Sequence, residues 1–180
     1  MKKIFILDSS FREGSNSSYL ALSFAKGAKE AGHDVKYVKL KDLELYFCKG
    51  CLACSNLKKC VIKDDMNSLY DLVSSSDILV FAAPVYYYDI PGQLKTFLDR
   101  LNPLYFRKNN FKEVYLLSAS AEDDEKAIEG SKQTLSNWIS CFDGVSLAGT
   151  YLAKGMDKPN QIVTMPNLLE GAYRLGNNIK

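Results

Sequence analysis

Short apolar runs alternate with amphipathic segments along the whole chain. Residues 3–8 (KIFILD) and 113–118 (EVYLLS) are apolar runs bounded by polar residues, which is the pattern of buried strands. Residues 77–84 (DILVFAAP) are apolar on both faces of a strand and predict the centre of a sheet. Residues 34–40 (DVKYVKL) alternate apolar side chains with lysine, which is typical of an edge strand, and residues 144–151 predict a fifth strand.

The segments between these strands have helical periodicity. In the first of them, apolar residues recur every four positions from Leu20 to Ala28. Asp64 or Asp65 is expected to cap the second helix, and Pro103 is expected to end the third. Helices are predicted over residues 16–32, 64–75, 91–101, 121–141 (with an acidic first turn) and 165–179.

Five strands alternating with five helices predict a single α/β domain over residues 1–180. The expected architecture is a three-layer sandwich, in which a five-stranded parallel sheet with right-handed crossovers has helices on both faces. Ligands of such sheets bind beyond the carboxyl ends of the strands, near the point where the strand order reverses. We therefore expect the functional residues in the segments that follow Asp8, Pro84, Ser118 and Tyr151.

Composition and charge narrow the function classes. The chain is 47% hydrophobic, and its 23 basic and 21 acidic residues nearly cancel, so neither a nucleic-acid nor a membrane partner is expected. The apolar run after Met1 is too short for a signal peptide, so we expect a cytoplasmic protein with reduced thiols. His33 is the only histidine, which excludes His-rich zinc hydrolases, and its position in a turn predicts a solvent-facing ring.

The segment after the first predicted strand is crowded with hydrogen-bond donors. Residues 9–18 (SSFREGSNSS) contain five serines together with Arg12 and Asn16, at a strand-to-helix turn. Unpaired N–H groups at a helix start, with hydroxyls and a guanidinium beside them, suit a phosphate group. The same residues also suit a serine-rich loop with an ordinary helix cap. The glycine patterns of Rossmann dinucleotide sites and P-loops are absent, so neither site is expected.

An aromatic segment follows the predicted central strand. Residues 84–92 (PVYYYDIPG) place three tyrosines between two prolines, a stiff loop that suits either a planar ligand or a cover over the core. The longer stretch 84–100 (PVYYYDIPGQLKTFLDR) resembles the flavin-contacting segment of the NADPH-dependent FMN reductase family, in which a Pro-x-Tyr turn precedes a helix with Leu-Lys and Asp-Arg. Residues 9–18 are similar to the phosphate loop of that family, with Ser17 where threonine is common.

This resemblance implies a flavodoxin-like fold with strand order 2-1-3-4-5 and FMN bound at the carboxyl edge of the sheet. It implies that the FMN phosphate is surrounded by Ser10, Arg12, Asn16, Ser17 and Ser18. It further implies that the isoalloxazine ring is lined by Pro84, Val85, Tyr86 and Tyr87, with a weaker match to a third flavin loop at Ser118, Ala119 and Ser120.

Four of the five cysteines lie within thirteen residues. Cys48, Cys51, Cys54 and Cys60 have the spacing C-x2-C-x2-C-x5-C, in which three closely spaced thiolates wrap one face of a cubane cluster. The spacing resembles the motif of iron–sulfur flavoproteins, a branch of the same family in which it holds a 4Fe–4S cluster. A structural zinc site or free thiols are the alternatives, although zinc more often takes two separated cysteine pairs. Cys141 is expected to be a buried apolar residue.

The sequence therefore predicts an FMN-dependent oxidoreductase that takes electrons from NAD(P)H and passes them to an acceptor. The flavin supplies the chemistry, so no side chain is expected to act as nucleophile or base. One alternative is an iron–sulfur flavoprotein reduced by ferredoxin, since Lys58 and Lys59 beside Cys60 suit an acidic carrier. Another is a non-enzymatic zinc or thiol redox-sensing protein. The resemblance also implies a homodimer or a higher homo-oligomer.

Overall fold

The computed structural model describes residues 1–180 and contains one parallel sheet with helices between its strands. The strands are β1 (Lys3–Asp8), β2 (Asp34–Lys39), β3 (Ile78–Pro84), β4 (Glu113–Ala119) and β5 (Ser146–Ala153). The helices are α1 (Asn16–Glu30), α2 (Ala53–Leu57), α3 (Met66–Ser75), α4 (Gly92–Arg100), α5 (Asn102–Tyr105), α6 (Glu129–Ile139) and α7 (Pro166–Asn177). The order across the sheet is β2-β1-β3-β4-β5, which confirms the flavodoxin-like fold expected from the sequence.

Helices cover both faces of the sheet, as predicted. On one face, α3, α4 and α6 enclose 22 buried residues, and on the other, α1 and α7 enclose 18. Successive side chains of a strand point to opposite faces, so Leu79 joins the first cluster and Val80 the second. β3 is central and buried along its length, whereas β2 at the edge is half-exposed, in agreement with the two hydropathy patterns.

Four strands end at the same edge of the sheet. The parallel register places Asp8 of β1 beside Ala82 of β3, and Pro84 of β3 beside Ala119 of β4. Ala119 is in turn beside Ala153 of β5. The loops that follow these strands therefore emerge next to one another.

Two helix boundaries differ from the prediction. Residues 121–124 do not form a helix; the carboxylate of Asp124 instead accepts a hydrogen bond from the N–H of Lys126 (2.9 Å) and caps a short 3₁₀ turn before α6. The acidic run therefore starts a turn and not the main helix. Pro103 does not stop the helical path either, because it lies in the first turn of α5, where its missing N–H costs no hydrogen bond.

Two side chains have surroundings other than those predicted. Cys141 is exposed, because the buried face of α6 is formed by Ser131, Leu135 and Ile139, and Cys141 lies beyond the end of that helix. His33 is half-buried and not directed to solvent: the N–H of Lys2 donates to its Nδ1 (3.1 Å), and its Nε2 lies 3.1 Å from the carbonyl oxygen of Ile179. The imidazole thus joins the two ends of the chain.

None of the helices combines the length and the hydropathy that a membrane-spanning segment requires.

Candidate functional site

Three loops meet at the carboxyl edge of the sheet, and backbone hydrogen bonds tie each of them to a neighbouring strand. The N–H and the hydroxyl of Ser9 both donate to the carbonyl of Ala82 (2.9 and 2.8 Å). The N–H of Val85 donates to the carbonyl of Ala119 (2.9 Å), and the N–H of Ser120 to that of Ala153 (3.0 Å). The segments singled out after β1, β3 and β4 are therefore neighbours in space.

The first loop is anchored by Asp8, the last residue of β1. Its carboxylate accepts hydrogen bonds from the N–H of Ser10 (3.1 Å) and from the hydroxyl of Tyr37 on β2 (2.8 Å). Burial, together with the negative charge of Asp8, raises the pKa of Tyr37, so this hydroxyl keeps its proton and remains a donor. The start of the loop is consequently held in a single shape.

The loop leads into the amino end of α1, where backbone donors are left for a ligand. Ser15 occupies the N-cap position, but its side chain makes no capping bond; its hydroxyl lies 3.0 Å from that of Ser17. Ser10 and Ser17 are buried and Ser18 is half-buried. The N–H groups of a first helical turn carry a partial positive charge, so this arrangement suits a phosphate.

Asn16 uses its side chain for another purpose. Its Nδ2 donates to the carbonyls of Lys158 (2.9 Å) and Met156 (3.4 Å), and its Oδ1 accepts from the N–H of Ile162 (3.0 Å). The amide therefore holds residues 156–162 against the first loop, and only the backbone N–H of Asn16 is available to a phosphate. Arg12 is exposed, and its guanidinium donates to the carbonyl of Asp157 (3.0 Å).

Residues 156–162 belong to the segment after Tyr151 that was expected at this edge of the sheet, but none of them was predicted as a site residue. Gly14 has a φ of +65°, and the N–H of Asn160 donates to its carbonyl at 2.7 Å. Glycine suits this position because another residue would be strained at this φ, and a Cβ there would lie 2.5 Å from Oδ1 of Asn160 and displace that side chain. No periodicity marks these residues in the sequence; the adjacent Gly155 and Pro159 indicate only a turn.

The second loop is a tight turn formed by the predicted aromatic segment. Tyr86 and Asp89 exchange backbone hydrogen bonds (2.9 and 3.1 Å), and Tyr87 and Tyr88 lie between them. The ring of Tyr87 is wholly exposed, and those of Tyr86 and Tyr88 are about half-exposed. Three aromatic rings therefore stand at the edge of the sheet instead of covering the core.

The third loop begins at the end of β4. Ser118, Ala119 and Ser120 are all buried, and the hydroxyl of Ser118 has no hydrogen-bond partner. The hydroxyl of Ser120 accepts from the N–H of Glu122 (3.1 Å) and shapes the turn that follows. Ser118 thus contributes a buried side chain, and the exposed part of this loop begins after Ser120.

An apolar groove of about 400 Å³ adjoins the first loop and was missed from the sequence. Gln93 of α4 reaches the loop, since its Nε2 donates to the carbonyl of Ser9 (3.1 Å). Phe11, a half-exposed ring within an otherwise polar loop, is the one sequence signal that could have revealed the groove. The groove is lined by Phe11, Leu40, Leu43, Leu45, Phe47, Gly92, Gln93 and Thr96.

The four clustered cysteines line a separate cavity of about 30 Å³, which the end of α4 and the start of α5 also line. Cys48 and Cys51 are exposed, Cys54 is buried and Cys60 is half-buried. Nδ2 of Asn102 donates to Sγ of Cys54 (3.0 Å). No three His, Cys, Asp or Glu side chains of the chain are grouped closely enough to hold a metal ion. Four thiols are a donor set that suits iron–sulfur or zinc, but in this structure they are not grouped as either would need.

A buried ion pair supports the cysteine loop. Arg100 donates two hydrogen bonds to the carboxylate of Asp64 and one to the carbonyl of Tyr46 (2.6 Å). Burial alone raises the pKa of Asp64, but hydrogen bonds from Arg100 and from the N–H groups of Tyr46 and Met66 outweigh it and lower this pKa from its ordinary value. Asp65 occupies the predicted cap position of α3, yet its side chain makes no capping bond.

Comparison with known proteins gives one family over most of the chain. The sequence profile of the NADPH-dependent FMN reductase family matches residues 2–157. An iron–sulfur flavoprotein of Archaeoglobus fulgidus is 37% identical over 103 residues, which are 57% of this chain and 46% of that protein. A Bacillus subtilis protein, provisionally named an NAD(P)H-dependent FMN-containing oxidoreductase, is 24% identical over 96% of both chains. The chain spans about half the length of the curated iron–sulfur flavoproteins it matches.

A solved structure agrees with the fold. The NAD(P)H:quinone oxidoreductase from Methanothermobacter marburgensis has a TM-score of 0.76 at 19% identity, covering 98% of this chain and 95% of that one. At this identity the likeness concerns the fold alone. Because the family profile covers residues 2–157 and the strand order is the one that the family resemblance implied, the chain belongs to the NADPH-dependent FMN reductase family.

Proposed function

We propose that the chain is an FMN-dependent oxidoreductase that receives electrons from NAD(P)H and passes them to an acceptor. The observation that carries the proposal is the amino end of α1, whose backbone donors are not capped by Ser15 and face the loops that follow β1. Membership of the FMN reductase family supports FMN as the anion that these donors bind.

In this proposal the phosphate is bound mainly by the first loop. Ser10, Ser17 and Ser18 supply hydroxyl or backbone donors, Arg12 supplies the charge, and Asn16 supplies its backbone N–H. The side chain of Asn16 acts indirectly, since it holds residues 156–162 against this loop.

The isoalloxazine ring is proposed to lie along the second and third loops. Pro84, Val85, Tyr86 and Tyr87 form the wall after β3, and Ala119 and Ser120 form the wall after β4. Ser118 supports the third loop from within, because its side chain is fully buried.

Bound FMN supplies two-electron chemistry, and the chain supplies position and electrostatics. The donors at the start of α1 orient the cofactor by its phosphate end. The rings of Tyr86 and Tyr87 shield one edge of the site from water. No side chain of the aromatic turn is required as an acid or a base, because the flavin itself carries the electrons.

An anaerobic reduction experiment tests this function. FMN-loaded protein is mixed with NADPH or NADH, and the visible absorbance of the oxidised flavin is followed in time. We expect at least one nicotinamide to bleach the flavin in a saturable manner, and reoxidation when a quinone is added. A protein that binds FMN but is reduced by neither nicotinamide would contradict the nicotinamide part of the proposal and favour a protein electron donor.

A second candidate function is that of an iron–sulfur flavoprotein reduced by ferredoxin. It is supported by the four cysteines around one cavity and by the names of the curated relatives. A groove of about 830 Å³ beside Cys60 is also rich in cations, because Lys58, Lys59 and Lys63 line it together with the Arg107–Asp71 ion pair. Such a surface attracts an acidic carrier.

Metal analysis separates the second candidate from the alternatives. Anaerobically purified protein is assayed for iron, sulfide, zinc and FMN, with Cys54→Ser as the test variant and Cys141→Ser as the matched control. Iron and sulfide that are lost only with Cys54→Ser support a cluster. FMN without metal would support an FMN-dependent reductase that has no cluster. Zinc without flavin would support a metal or thiol sensor instead.

A further inference from the structure

The aromatic turn after β3 has an unusual backbone. Tyr87 and Tyr88 have φ values of +50° and +62°, in the left-handed region that bulky residues rarely adopt. Glycine and asparagine are the residues that normally occupy both central positions of such a turn. Two consecutive tyrosines in this conformation are strained, and such strain persists only where the surroundings hold it in place.

Helix α6 provides one of the contacts that hold the turn. A Cβ placed on Gly130 would lie 2.2 Å from the carbonyl oxygen of Tyr88, a separation that no side chain allows. The backbone of the turn therefore rests directly on the backbone of α6. Gly130 is at the second position of this helix, where glycine is otherwise a poor helix former.

A hydrogen-bond network around Asp89 provides the second contact. One oxygen of its carboxylate accepts from the N–H of Ile90 (2.6 Å), and the other accepts from the hydroxyl of Thr134 on α6 (2.8 Å). Ile90 is buried in the core beneath the turn. Asp89 thus joins the strained turn to α6 on one side and to the core on the other.

We propose that Gly130 and Thr134 of α6 are positioning residues for the flavin site: they hold residues 85–90 in the shape that receives the isoalloxazine ring. The inference rests on the proposed binding of FMN along this turn. Without these contacts the turn relaxes in the flavin-free protein, and only the fraction that keeps the strained shape is competent to bind. Neither residue touches the flavin in this account.

The test is the dissociation constant for FMN at 25 °C, measured by quenching of flavin fluorescence, for the flavin-free wild type and four variants. Thr134→Val removes the hydroxyl without changing the shape of the side chain, and Thr134→Ser keeps the hydroxyl. Gly130→Ala forces the turn away from α6. Thr150→Val, on the exposed face of β5, is the matched control. Thermal unfolding of each flavin-free variant is measured in parallel.

We expect Thr134→Val to weaken FMN binding about fivefold, the effect of one lost hydrogen bond, and Thr134→Ser and Thr150→Val to match the wild type. Gly130→Ala should weaken binding at least tenfold, although alanine favours the helix itself.

Unchanged FMN affinity in Thr134→Val and Gly130→Ala would overturn the inference, as would equal losses in Thr134→Val and Thr134→Ser. A wild type that binds no FMN would refute the proposed function itself. If Thr134→Val does not fold, the FMN affinity of Gly130→Ala tests the inference.

Discussion

Arg100 of α4 and Asp64, just before α3, form an ion pair in which both side chains are completely inaccessible to solvent. The same guanidinium donates to the carbonyl of Tyr46, and the carboxylate accepts from the N–H of Tyr46 (2.9 Å) and of Met66 (3.2 Å). The pair therefore connects the two ends of the cysteine loop to the helix that follows the aromatic turn. A loop of four cysteines, two of them exposed, is held to the domain by this buried contact.

Replacing one member of the pair should be strongly destabilising. Asp64→Asn leaves the charge of Arg100 buried without a counter-charge, and we expect the free energy of unfolding to fall by about 3 kcal/mol. Urea denaturation of the flavin-free protein measures this loss. Asp71→Asn is the matched control, because Asp71 pairs with Arg107 at the surface, and we expect it to cost less than about 1 kcal/mol. Similar losses of unfolding free energy in the two variants would show that the buried pair stabilises the fold no more than the surface pair does.

The same pair predicts a dependence of stability on pH. The pKa of Asp64 is lowered on folding, so its carboxylate stabilises the fold above the pKa of the unfolded chain and loses this effect as the pH falls through the lowered pKa. The difference in unfolding free energy between the wild type and Asp64→Asn should have its largest value above about pH 5 and decrease steadily below pH 4. Denaturant titrations at several pH values measure this difference. A difference that increases as the pH falls would contradict a stabilising role for the Asp64 carboxylate.

Asn16 should behave as a structural residue of the first loop. Asn16→Ala leaves the backbone groups of Met156, Lys158 and Ile162 without their partners, so we expect a loss of about 2 kcal/mol in unfolding free energy together with weaker FMN binding. Asn137→Ala, on the exposed face of α6, is the control and should change neither quantity. A variant that binds FMN poorly at unchanged stability would instead indicate direct contact between the Asn16 side chain and the cofactor.

The order of the sheet could be predicted because it rests on local patterns and on a family resemblance. Residues 78–84 are apolar on both faces and lie at the centre, and residues 34–39 alternate and lie at the edge. The contacts of Asn16 could not be predicted, because its partners lie about 140 residues further along the chain and no periodicity connects them. The exposure of Cys141 was mispredicted because cysteine composition does not reveal where a helix ends.

Some expectations stay predictions. The homo-oligomer is implied by the family resemblance, and the cytoplasmic location is expected from the hydropathy of the chain; neither rests on a contact within this chain. The cluster at Cys48, Cys51, Cys54 and Cys60 stays a proposal: the four thiols line one cavity, but they are not grouped as metal ligands.

The central claim is that the amino end of α1 binds the phosphate of FMN, and one flavin titration tests it most directly. Flavin-free wild type and Arg12→Ala are titrated with FMN and with riboflavin, which lacks the phosphate. We expect the wild type to bind one FMN per chain at least tenfold more tightly than riboflavin, because charge-assisted hydrogen bonds to the phosphate are lost with riboflavin. Arg12→Ala should weaken FMN binding and leave riboflavin binding unchanged. Equal affinity of the wild type for the two flavins, or no binding of either, would contradict the account.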